Sequence, residues 1–115
     1  MAKKQEAFRL ASISFAYASA KPAKKQDIVF ENIVEYLKQH PSARIRLDGY
    51  ADKATGKART NLMLSIRRTD SVRNILIERY GIAPSRIDAQ GIGCNAQPYE
   101  KNEHNRVVIV TALPE

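Results

Sequence analysis

The sequence predicts an α+β fold, a two-layer sandwich of order β-α-β-α-β-β with both helices on one face of a mixed sheet. Three observations carry that expectation. Apolar and polar side chains alternate in the strand segments, an i, i+3, i+4, i+7 stripe marks the first helix, and Pro or Gly punctuates the element ends.

The first strand is expected over about residues 8–17, where Ala11, Ile13, Phe15 and Tyr17 alternate. The same stretch, "MAKKQEAFRLASISFAYASA", imitates a secretory leader through its early lysines and Ala18-Ser19-Ala20. Glu6 and Arg9 interrupt that pattern, and Ser12 and Ser14 dilute its apolar middle, which favours the strand. The chain is accordingly expected to be a trimmed piece of a longer protein. Lys21-Pro22 breaks the strand, and a helix follows from about Lys25 to Gln39 with Phe30, Ile33, Val34 and Leu37 as its stripe. Pro41 stops it.

A second strand, Ala43–Tyr50, places Ile45, Leu47 and Gly49 on one face and Arg44, Arg46, Asp48 and Tyr50 on the other. One face should pack on helices and the other meet solvent. A second helix spans about Asn61–Tyr80 and ends at Gly81 in the C′ position. Its packed face is expected to be Leu62, Ser65, Thr69, Val72, Leu76 and Tyr80, with the small Ser65 and Thr69 allowing close approach to the sheet. Arg68 falls on the border of that face, partly shielded. Arg86–Gln90 is a short strand before Gly91 and Gly93, and a polar loop leads to the last strand, Arg106–Ala112. There is no internal repeat, and residues 1–115 read as a single domain.

The chain carries 19 Lys and Arg against 12 Asp and Glu, a formal charge of +7. Residues 1–25 and 43–73 each hold a net +5. Such a surface favours polyanions: nucleic acid, anionic lipid or an acidic wall polymer. Cys94 stands alone, so no intrachain disulfide forms, and it reads as an incidental loop thiol. No apolar run reaches the roughly 18 residues of a membrane-spanning helix. His40, His104 and Cys94 lack metal-ligand spacing. The serines have no His/Asp context for a triad, and "GIGCN" lacks the Lys and following helix of a phosphate loop. A non-enzymatic protein with neither cofactor nor metal is expected.

Asp52 lies at the carboxyl end of the second strand, where open sheets tend to place ligands. Arg68, on the next helix, supplies an opposite charge. Spacing leaves two readings open. The two side chains pair with each other, contributing roughly 0–1 kcal/mol if exposed. Alternatively they form a receptor for a zwitterion, in which Asp52 takes an ammonium group and Arg68 a carboxylate. Substituting either residue is then expected to change folding little.

From Ile13 onward the chain resembles the OmpA-like (OmpA/MotB/Pal) peptidoglycan-associated domains. The family motif N-x2-L-S-x2-R-A-x2-V-x3-L matches Asn61, Leu64, Ser65, Arg68, Val72 and Leu76, with Thr69 in place of the Ala. "LDGYAD" resembles G-[HY]-[TA]-D, "GIAPSRIDAQGIGCNAQP" resembles the segment ending in G-x-G-x4-P, and "NRVVIV" resembles the N-R-R-V ending. The resemblance covers roughly 100 residues. It implies non-covalent binding of peptidoglycan through meso-diaminopimelate (DAP) in the peptide stem, with Asp52 and Arg68 gripping its zwitterionic centre and Asn61 and Arg106 contributing. It also implies a periplasmic domain of an outer-membrane or other envelope protein, tethering the envelope to the wall. Any membrane association would come through an upstream region.

Three departures from the family pattern stand out. The loop after Asp52, K-A-T-G, is one residue longer than the common form; Ala16 and Ala18 replace the acids of F-D-F-D; and Val107 replaces the second Arg of N-R-R-V. The rival reading, a basic nucleic-acid-binding module, fits the charge but lacks an aromatic stacking platform or Gly-rich RNA signatures.

Overall fold

Strand β1 (Phe8–Ser14) is followed by α1 (Asp27–Gln39), β2 (Ile45–Tyr50), α2 (Ala58–Glu78), β3 (Ile87–Gly93) and β4 (Val107–Ala112) in the computed structural model, which describes residues 6–53 and 57–115. The sheet order is β1-β4-β2-β3. β4 runs antiparallel to both β1 and β2, while β2 and β3 are parallel and joined through α2. This is the expected two-layer α+β sandwich with a mixed sheet.

The core lies between the sheet and the helices. Phe30, Ile33, Val34 and Leu37 of α1 and Val72 and Leu76 of α2 pack with Ile13, Ile45, Leu47, Ile87, Val108 and Val110. Each such side chain contributes about 1.5–3 kcal/mol by leaving water. The α1 stripe is the one that its sequence spacing predicts.

The element ends differ from expectation for local reasons. β1 stops at Ser14, three residues early, because the chain bends away: Phe15 bridges to Pro22, Ser19 N–H donates to Ala16 O, and Ala18 is left-handed at φ 52°. α1 starts at Asp27 rather than Lys25, whose φ of 66° no α-helix admits. α2 begins at Ala58, nearly a turn before Asn61, and β3 runs on through Gly93.

The packed face of α2 is a larger correction. Its buried residues are Asn61, Leu64, Ser65, Arg68, Thr69, Val72 and Leu76, and Leu62 is 42% exposed. Ideal helical spacing places Leu62 inward; the helix instead turns Asn61 and Arg68 inward, and that is possible only where they find polar partners. Its close approach rests on Gly49 and Gly91. A Cβ at Gly49 would lie 2.0 Å from Thr69 Oγ1 and 2.4 Å from the Ser65 carbonyl oxygen; one at Gly91 would lie 2.5 Å from Ile66 Cγ1. Ser65 ties the two layers by accepting the Gly93 N–H at 2.9 Å and donating to Leu62 O at 2.7 Å.

The outer sheet face is not simply solvated either. Asp48 is buried, held by Arg46 Nε at 3.0 Å and Gln90 Nε2 at 2.6 Å. The β3–β4 loop folds across this face, with Tyr99 Oη 2.9 Å from Arg9 Nη1 and 3.3 Å from Ser12 Oγ. Burial first, and the Asp48 carboxylate second, push the Tyr50 phenol above its ordinary range.

Gly49→Ala is expected to destabilise the domain by about 2–4 kcal/mol, because α2 must move off the sheet. Pairing it with Thr69→Ala should restore only part of the loss, since the Ser65 carbonyl remains in the way. Urea unfolding of the three variants checks this; full rescue would mean that the hydroxyl alone sets the helix–sheet distance.

Candidate ligand-binding site

Three expected residues converge at the carboxyl end of β2. Asp52 follows that strand, Arg68 projects from α2, and Arg106 precedes β4. Asp52 and Arg68 are both 0% exposed, so Arg68 is far more enclosed than a border position suggests. Asn61 is buried on the same stripe of α2, two turns before Arg68.

Arg68 does not pair with Asp52. Its Nε donates to Ser19 O at 2.8 Å, Nη1 to Tyr50 O at 2.9 Å and Nη2 to Ala16 O at 3.1 Å. The guanidinium therefore ties α2 to the end of β2 and to the Ala16–Ser19 turn. It also lies over the Phe15 ring, 5.3 Å from the centroid. Burial pulls its pKa down to about 10; the nearby Asp52 opposes that shift and Arg106 adds to it. It stays charged at neutral pH, and among the described residues it makes no ion pair.

Asp52 accepts a hydrogen bond from Arg106 Nε at 2.5 Å on Oδ2, closing the ends of β2 and β4 together. Arg106 lies 5.3 Å from the Tyr17 centroid, so Phe15 and Tyr17, two residues apart, each support one arginine. One carboxylate and two guanidiniums leave an excess positive charge in this enclosed region. Such an arrangement can bind a group carrying a carboxylate.

Several residues that organise the site escaped the sequence reading. Asn105, buried, accepts the Tyr99 N–H at 2.8 Å and donates to Gln97 Oε1 and Tyr99 O, both at 2.9 Å. Gln97 Nε2 in turn reaches Ala51 O at 3.0 Å, next to Asp52. Lys53 N–H donates to Asn102 Oδ1 at 3.0 Å. The β3–β4 loop is thus fastened to the β2 end by carboxamides, which hydropathy patterns ignore. The available signals were the Asn before Arg106 and the aromatics of "FAY". Of the longer K-A-T-G loop, residues 54–56 lie outside the described residues.

Arg68→Ala is expected to cost about 3–5 kcal/mol of stability, from three orphaned carbonyls and the space left behind. This reverses the expectation that folding would hardly change. Asn105→Ala should cost about 2–4 kcal/mol by the same accounting of lost bonds. Thermal and urea unfolding check both, and wild-type midpoints for Arg68→Ala would show that the carbonyl bonds contribute nothing net.

The sequence and the fold both have counterparts among known proteins. The OmpA family model matches residues 14–108. Outer membrane protein 40 of Porphyromonas gingivalis is 41% identical over 87% of this chain, and peptidoglycan-binding protein ArfA of Mycobacterium bovis is 33% identical over 71%. This chain spans 26% of the length of each. The crystal structure of the peptidoglycan-associated lipoprotein from Burkholderia pseudomallei has the same fold, with a TM-score of 0.81 at 22% identity over 89% of either chain. The chain belongs to the OmpA family.

Proposed function

We propose that this domain binds peptidoglycan non-covalently, anchoring a cell-envelope protein to the wall from the periplasmic side without catalysing a reaction. The observation that carries this reading is the buried, charged Arg68 beside an Asp52 already engaged by Arg106. Relatives named as a peptidoglycan-binding protein and a peptidoglycan-associated lipoprotein support it.

The ligand group is the D-centre of meso-DAP in the peptide stem, which carries both an ammonium and a carboxylate. Arg68 takes the carboxylate and Asp52 the ammonium; Arg106 holds Asp52 in place, and Asn61 flanks the grip from the start of α2. Because both charges are buried, the ligand enters as the Ala16–Ser19 turn moves aside and a turn carbonyl cedes its guanidinium bond to the incoming carboxylate. Attachment to a wall would strengthen through many anchored copies on one polymer.

Since Arg68 also holds the fold, the cleaner test varies the ligand. A DAP stem peptide should bind at least about tenfold more tightly than the same peptide with an amidated D-centre or with L-lysine, because those leave buried charges of the site unsatisfied. Calorimetry at two salt concentrations, with a DNA oligomer as control, measures this. Equal binding of the lysine and DAP peptides, or tightest binding to DNA, overturns the reading.

A second test asks about geometry. Arg68→Lys keeps the charge but loses the planar fork, and should weaken DAP-peptide binding by about 2–5 kcal/mol. Circular dichroism would first establish that the variant is folded, and unchanged affinity in a folded variant would mean that only long-range charge acts.

A further inference from the structure

A cavity of about 370 Å³ lies between the first turns of α2 and the Ala16–Ser19 turn, lined by Ala18, Arg59, Thr60, Met63, Leu64 and Arg67. Its volume is in the roughly 300–1,000 Å³ range of small-ligand sites. Two contacts join it to the site above. Ala18 sits between the two residues, Ala16 and Ser19, whose carbonyls hold Arg68, and Leu64 lies one turn before Arg68 on α2. Thr60, Met63 and Arg67 share one stripe of the helix and Arg59 borders it, so the wall facing the turn is basic at both ends with a thioether between.

Among the described residues, no ion pair accounts for the two arginines, and both are exposed. Arg59 stands in the first turn of α2, which holds no acidic residue, a position where a cation works against the helix dipole. Eight residues apart, the two are separated by about 12 Å along the helix. Met63, 46% exposed, offers an adaptable apolar floor between them.

We propose that this groove holds a second carboxylate of the same acidic peptide, carried by the stem residue next to the zwitterionic centre. Arg59 and Arg67 bind the carboxylate, and Met63 packs against the methylenes that carry it. The inference rests on the stem-peptide reading above and deepens it: Arg68 and Asp52 select the zwitterion, while the groove sets preference for the neighbouring residue's charge. A stem whose neighbouring carboxylate is free should bind better than one in which it is amidated. The neutral Thr60 beside the pair leaves that carboxylate no acidic competitor on the same wall.

Calorimetric titration of two DAP stem peptides tests this, both with an intact D-centre, one with the neighbouring carboxylate free and one with it amidated. The wild-type domain should favour the free acid by about 3–10-fold, in the range of partly exposed charge pairs. Arg59→Gln combined with Arg67→Gln should abolish that preference while leaving the amidated peptide's affinity within about twofold, as a double-mutant cycle requires. Both residues are exposed, so the unfolding midpoint should not move. If the wild type binds both peptides equally, or if the double variant keeps the preference, the groove assignment is wrong and the Asp52–Arg68 reading stands. If the wild type binds neither peptide, both fall together.

Discussion

One guanidinium ties together elements that no hydrophobic contact could align. Arg68 donates to carbonyls from the end of β2 and from both sides of the β1–α1 turn, and so fastens helix, strand end and turn to one another. A buried cation is expensive unless it is well solvated by the protein. Here backbone oxygens supply that solvation and the Phe15 ring covers one face. The polar stripe of α2 follows from the same constraint. Asn61, Ser65, Arg68 and Thr69 can all face inward because Gly49 and Gly91 let the helix sit against the sheet.

The Asp52–Arg106 pair answers a different need. A lone carboxylate beside β2 would face two positive neighbours through a poorly screened interior. Its bond to Arg106 settles its orientation and draws β4 into the site, so that strand ends, helix and turn form one electrostatic unit. The Asn105 carboxamide does for the β3–β4 loop what Arg68 does for the β1–α1 turn: it satisfies backbone groups that would otherwise be stranded in a loop folded over a sheet.

Much of this was legible in the sequence. The two faces of β2, the α1 stripe and Asp52 at a strand end are consequences of local pattern, and they survive in three dimensions; α2 stops at Glu78 with its C-cap at Arg79, two residues short of the expected end, and left-handed Gly81 follows. Three features lie outside local periodicity. Ideal helical spacing centres the inward face of α2 so that Leu62 faces in and Arg68 stands at its border, whereas the supply of carbonyl partners draws Arg68 fully inward. The bend after Ser14 depends on left-handed Ala18, a conformation that an alanine does not advertise. Tyr99 over the outer face depends on partners 87 and 90 residues away, beyond any local pattern.

The strand order has a mechanical meaning. Asp52 follows β2 and Arg106 precedes β4, and these are the two interior strands, each bonded to a neighbour on both sides. Tension on anything held between them enters the sheet where two ladders share the load in parallel. The same tension applied to β1 or β3 would meet one ladder and could open it bond by bond, like a zipper. A load applied at the centre of the sheet must shear several hydrogen bonds together before the sheet yields.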